Sequence, residues 1–159
     1  MDRLIPPRFD FYGMLTEQAE VTAAGIDFLA RWLQTPTADN YRGLMERVDR
    51  ADVVRLNMED CLIKTFSTPF DRQDLYVFSV RLDRILKLAK STALAVEAYG
   101  VTPDPYFLAM AENLSVGTND LARATVLLEE SPCEAEQSIE KMRRAIVEVG
   151  NHYRTALAR

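Results

Sequence analysis

Lys64-Thr65-Phe66-Ser67-Thr68-Pro69-Phe70-Asp71-Arg72-Gln73-Asp74-Leu75 decides how the chain divides, because it stops one helical pattern and starts the next. Proline disfavours helical geometry in the residue before it, so Thr68-Pro69 closes whatever precedes it. Asp71 and Asp74 then place carboxylates at the positive end of a new helix dipole. Downstream, Leu75, Phe78, Leu82, Ile85, Leu86, Ala89, Ala93 and Val96 recur mostly at steps of three and four, the buried face of a helix over 71–99. Gly100 is its stop and Thr102-Pro103-Asp104-Pro105 the following loop. Upstream, Tyr41, Leu44, Val48, Ala51, Met58 and Leu62 form the stripe of a helix over 40–66, capped by Thr37 or Asp39. Arg55 interrupts that stripe and belongs at its edge.

Working outward, Phe11, Leu15, Ala19, Thr22, Ile26, Leu29 and Leu33 predict a helix over 11–34, ended by Thr35-Pro36. A fourth helix over 106–130 turns Phe107, Met110, Leu114, Gly117, Leu121, Ala124 and Leu128 inward, with a bend expected at Gly117-Thr118-Asn119. Ser131-Pro132 restarts the chain, and Ile139, Met142, Ile146, Val149, Tyr153 and Ala156 carry a fifth helix over 133–158. No strand pattern, linker or low-complexity segment interrupts this series. The prediction is an all-α fold: one domain over 1–159, an antiparallel bundle of about five helices joined by short loops.

Composition bounds the function. The 159 residues suit one domain, and 48% hydrophobic with 27% charged residues is enough to bury a core without disulfides or metal. Lys+Arg 19 against Asp+Glu 24 gives a net charge of -5, which argues against general nucleic-acid binding. No apolar run is long enough to span a membrane, and residues 1–8 carry no signal-peptide core, so a cytoplasmic location is expected. Reactive groups are few: Cys61, Cys133 and the one histidine, His152. C-x-x-C, H-E-x-x-H, G-x-S-x-G, P-loop and G-x-G-x-x-G patterns are all absent. Glu129-Glu130, the one adjacent glutamate pair, ends a helix and is a poor match to the carboxylate helix of a metal-dependent nucleotide pyrophosphatase.

The stretch from Lys64 to Leu75 resembles the K-T-F-I-T-P-F-D-R-E-D-I signature of the DUF47 family of PhoU-like proteins. Ala51-Asp52 falls where that family ends an E-H-E-A-D motif, and Leu82-Asp83-Arg84-Ile85-Leu86-Lys87 is similar to its L-D-D-I-L-D. Tyr153-Arg154-Thr155-Ala156-Leu157 is similar to the Y-R-E-A-L of its second repeat. The sharp part is Thr68, Pro69, Phe70, Asp71 and Arg72. That corner reads as structural first: Phe70 can staple the turn to the core, and Arg72 can bind carbonyls or a neighbouring acid.

The resemblance implies E/D-x-x-x-D pairs, whose spacing sets two carboxylates on one helical face to hold cations. Here the pairs have decayed: Val48 stands before Asp52, Lys87 follows Asp83, position 84 is Arg84, and Ile146 and Gly150 occupy the second-repeat pair. The family's metal cluster is therefore not expected, and Asp49, about 100° around the helix, is a weak substitute. The plainer reading of Lys87, which carries the greater weight, is an exposed lysine with an i,i+4 acid; the alternative, if Asp52 and Asp83 still face each other, is that Lys87 stands between them as an Asp52–Lys87–Asp83 bridge. Arg81, Arg84, Lys87 and Lys90 read as a solvated face rather than a phosphate or headgroup ribbon. Trp32, Cys61 and His152 read as packing residues.

By the same resemblance the fold is two three-helix repeats, which five helices leave unfinished. The stripe of Tyr106, Met110, Leu114 with Ile139, Met142, Ile146 then lacks cover, and a homo-oligomer in which another subunit supplies it is expected. The function implied is a non-enzymatic, cofactor-free regulator or accessory protein of phosphate transport, docking on a Pit-type transporter at the inner face of the membrane. The alternative is a helical oligomerisation or scaffold protein that has lost both metal binding and the phosphate role.

Overall fold

The computed structural model describes residues 9–158; the leader reading made on residues 1–8 lies outside them. The described secondary structure is helix throughout: α1 (Phe11–Gln34), α2 (Ala38–Lys64), α3 (Arg72–Tyr99), α4 (Pro105–Leu127) and α5 (Pro132–Leu157). This is the all-α bundle expected.

Local chemistry sets the ends. Asp10, Thr37, Asp71 and Asp104 each accept a backbone N–H of the first turn that follows them, from Gly13 (2.8 Å), Asn40 (3.2 Å), Gln73 (2.7 Å) and Phe107 (2.7 Å). Because Thr37 takes the cap, α2 begins at Ala38 rather than 40; it ends at Lys64 rather than 66, Thr65 being extended. Gly100 stops α3 in the left-handed conformation (φ 60), which lets Val101 N–H reach back to the Val96 carbonyl at 3.0 Å. α4 closes at Leu127, three residues short of expectation, in a turn that hands over to Pro132 in the first turn of α5.

α1 is the hub. It packs against α2, α3 and α4; α2 also packs on α3, and among the described helices α5 packs on α4 alone. The main core gathers around Ile26, Leu44 and Leu86, each completely buried, with Trp32 at its edge. A second cluster of Phe11, Leu15, Met58, Leu62 and Leu75 sits under the α2–α3 turn, where Phe70 packs on it with its ring 5.1 Å from that of Tyr12. The α1–α2 contact is close: a Cβ on Gly43 would stand 2.5 Å from the Phe28 ring.

α4 corrects one expectation. It is one helix through Gly117-Thr118-Asn119, but its most buried residues are not the large ones expected. Its fully buried residues are small, Ala111, Gly117, Thr118, Ala122, Ala124 and Thr125, while Phe107, Met110, Leu114, Leu121 and Leu128 are half-buried. The reason is that α4 lies between two neighbours. Ala122 meets Ala19 and Ala23 of α1, and Gly117 lies against Ala145 and Ile146 of α5, so the larger side chains are pushed to the shoulder between the contacts. No described helix is long and apolar enough to cross a membrane.

Candidate functional site

The turn between α2 and α3 sets the register of the two helices. Arg72 donates from Nη1 to the Leu62 carbonyl (2.6 Å) and from Nη2 to the Thr65 carbonyl (2.8 Å), satisfying acceptors at the end of α2 that the helix itself leaves open. Thr68 Oγ1 donates to the Phe70 carbonyl (2.6 Å), Asp71 caps α3, and exposed Pro69 bars helical continuation. All five residues of the sharp motif therefore act within this corner, Phe70 from the apolar side.

The register so fixed brings Asp52 of α2 alongside Asp83 and Lys87 of α3. Lys87 Nζ lies 2.9 Å from Asp52 Oδ1 and 2.8 Å from Asp83 Oδ2, one ammonium shared by two carboxylates. Asp52 and Lys87 are half-exposed, whereas the Asp83 side chain is only 8% exposed. The hydrogen bond from Lys87 holds the Asp52 carboxyl below the usual carboxylate range, against the opposing effect of partial burial. Hydrogen bonds to Asp83 first and Asp52 second raise the Lys87 ammonium above the ordinary lysine value.

A second cation stands behind the first. Arg55 Nε is 3.6 Å from Asp83 Oδ2, and its Nη1 is 2.5 Å from Glu59 Oε1. Deeper still, Gln18 of α1 is fully buried and donates through Nε2 to the Ser79 carbonyl of α3 (2.8 Å). Gln18 Oε1, Ser79 Oγ and Asp83 Oδ1 are buried without a hydrogen-bond partner among the described residues. A polar seam thus enters the α1–α3 contact from the surface bridge. Sequence reasoning missed Arg55, Gln18 and Ser79 as parts of it. Arg55 was detectable, since it lies one helical turn from both Asp52 and Glu59; Gln18 was hidden beside Leu15 and Ala19 in an apolar stripe.

Chemically, the cluster is a set of fixed charges. Asp52 is shifted down and Lys87 up, so both move away from neutral pH and neither is poised for proton transfer there. Among the described residues no group of three or more His, Cys, Asp or Glu side chains is placed to hold a metal ion. Asp49 points to solvent, and Val48 is in the core. Arg81 and Arg84 are exposed and Lys90 half-buried, so the basic residues of α3 divide, Lys87 alone joining the bridge. Trp32 is buried with its ring 5.7 Å from that of Tyr41; Cys61 and His152 are half-buried.

No family model and no curated protein matches this chain. The arrangement of α2 and α3 around Lys87 therefore carries the functional reading.

Proposed function

We propose that the chain is a non-enzymatic accessory or regulatory protein of phosphate transport, a PhoU-like bundle of the DUF47 type whose ion site has become a charge bridge. The observation that supports it is the position of Lys87 Nζ, within 3 Å of both Asp52 and Asp83. Those two acids stand at the positions where the resemblance expects cation ligands, and an ammonium occupies the space between them. Fixed charges hold two helices in register without turnover, so action by docking follows better than catalysis. In this reading the protein works without a cofactor, in the cytoplasm against the inner face of the membrane, and its partner is a phosphate transporter of the Pit type.

The test is phosphate uptake in cells lacking the protein, together with co-elution of the purified protein and the detergent-solubilised Pit-type transporter of the same cells. A changed uptake rate and a shared elution peak are expected. Unchanged uptake with separate elution overturns the transport role. It would leave the second reading, a helical oligomerisation protein, which is favoured by the exposed apolar residues of α5.

A further inference from the structure

α5 is the most lopsided helix of the bundle. Among the described helices it packs on α4 alone, through Ala135, Ser138, Ala145 and their neighbours, and it buries just those three residues. Beside that contact runs a second apolar edge at helical spacing: Ile139, Ile146, Tyr153 and Leu157. Ile146 is 45% exposed, Tyr153 54% and Leu157 68%. α3 packs on both helices of the α1–α2 hairpin, whereas α1 packs on α4 of the α4–α5 hairpin and no described helix but α4 packs on α5.

Two observations say what fits there. The first is charge. On the edge itself, Glu136 stands before Ile146 and Arg154 after it, while Lys141, Arg143 and Arg144 balance Glu134, Glu136 and Glu140 within the first half of α5. A second α5 laid parallel would set Arg154 beside Arg154; laid antiparallel about Ile146, it brings Arg154 to Glu136. The second is shape. At the start of α5 an open groove of about 470 Å³ is walled by Phe78 of α3, Leu121 and Leu128 at the end of α4, and Ile139. Its rim carries Asp74 and Glu136, so the groove is apolar within and acidic at the lip.

We infer that two copies of this chain pair through antiparallel α5 helices about a two-fold axis at Ile146. Such an axis sets Ile146 against itself. Ile139 and Tyr153 lie seven residues to either side of it, about 10 Å along the helix, so each Tyr153 meets Ile139 of the other copy. Tyr153 and Leu157, the most exposed apolar residues of the edge after Val147 is set aside on the flank, then enter the groove of the second copy. Arg154 lies between them in sequence and comes up to Glu136 and Asp74 at the lip. The contact is isologous, so each copy supplies both the groove and the residues that fill it, and the pair closes without further growth. The inference rests on α4–α5 being an interface and does not depend on the phosphate-transport reading.

Sedimentation velocity over about a hundredfold range of concentration tests it on the whole chain. The expected species has twice the 18.1 kDa of one chain. Ile146→Glu should give a monomer with unchanged helical circular dichroism, since Ile146 is already half in solvent. Arg154→Glu should weaken the dimer by about tenfold or more, and Glu136→Arg added to it should restore most of the loss. Ile146→Cys on a Cys133→Ser background should form an intermolecular disulfide at that position under mild oxidation. A wild-type monomer at every concentration overturns the inference and leaves the face to some other partner. A dimer that survives Ile146→Glu, or charge reversal that is not rescued by Glu136→Arg, also overturns it. Loss of pairing in the Ile146→Glu protein with phosphate uptake unaltered separates this inference from the proposed function.

Discussion

At the scale of single residues, the bridge is a problem of desolvation. Asp83 is nearly buried, and a carboxylate in that position is strongly unfavourable unless cations sit on it. Lys87 supplies one at 2.8 Å and Arg55 a second at 3.6 Å. Replacing Lys87 by methionine keeps the apolar stem and removes the charge. Asp52 and Asp83 then face each other with only Arg55 nearby, and Lys87→Met should cost roughly 1–2 kcal/mol at neutral pH, read from the denaturant midpoint. The pH dependence follows from the two shifts. Asp52 is depressed in the folded protein, so its contribution is present above its ordinary value of 3.8 and fades as pH falls through the lower folded value. Lys87 is raised, so its contribution is present below 10.5 and fades as pH rises through the higher folded value. The stability gap between wild type and Lys87→Met should therefore stay level between about pH 5 and pH 9 and shrink below about pH 4. A variant as stable as wild type at neutral pH would show that Arg55 alone satisfies Asp83.

At the scale of elements, Arg72 turns a loop into a joint. Two hydrogen bonds from one rigid guanidinium tie the beginning of α3 to the end of α2, and a flexible lysine cannot reach both carbonyls in that geometry. Arg72→Ala should destabilise the protein by roughly 1–3 kcal/mol, and Arg72→Lys should recover less than half of that, measured by equilibrium unfolding. A loss under about 0.5 kcal/mol for Arg72→Ala would mean that water replaces the guanidinium at no cost. This joint was legible in the sequence because it is local: Pro69, Asp71 and Arg72 act on atoms a few residues away. The pairing of Asp52 with Lys87 was suggested by the resemblance, which puts Asp52 and Asp83 on facing sides of α2 and α3; spacing alone gives only the i,i+4 step from Asp83 to Lys87. The interior of α4 was not legible. Periodicity names the face that turns inward but not how many helices it meets, and a helix held between α1 and α5 buries its glycine and alanines instead of its leucines. Gln18 was lost for the same reason, its partner Ser79 lying 61 residues away.

At the scale of the whole molecule, stability is distributed unevenly. Among the described helices α1 packs on three others and α5 on one, so the free energy needed to expose backbone amides cannot be uniform. Short loops made α1–α2, α2–α3 and α4–α5 readable as neighbours, but α3 and α4, also joined by a short loop, do not pack on each other, and the α1–α4 contact that joins the two halves is non-sequential and had no local signal. It rests in part on Asp27 of α1, which accepts hydrogen bonds from Ser115 (2.5 Å) and Asn119 (2.8 Å) of α4. α5 has no comparable tie to the first three helices among the described residues. Hydrogen exchange should therefore show α5 opening at a lower free energy than α1, α2 or α3 when the protein is dilute. If α5 is the pairing element, its protection should rise with protein concentration while that of α1 and α2 stays constant, because association stabilises only what it covers. Ile146→Glu should abolish the concentration dependence and leave the α1–α3 amides unaltered. Protection in α5 equal to that in α2, at low concentration and in the Ile146→Glu protein, would mean that the α4 contact alone is enough to hold the last helix.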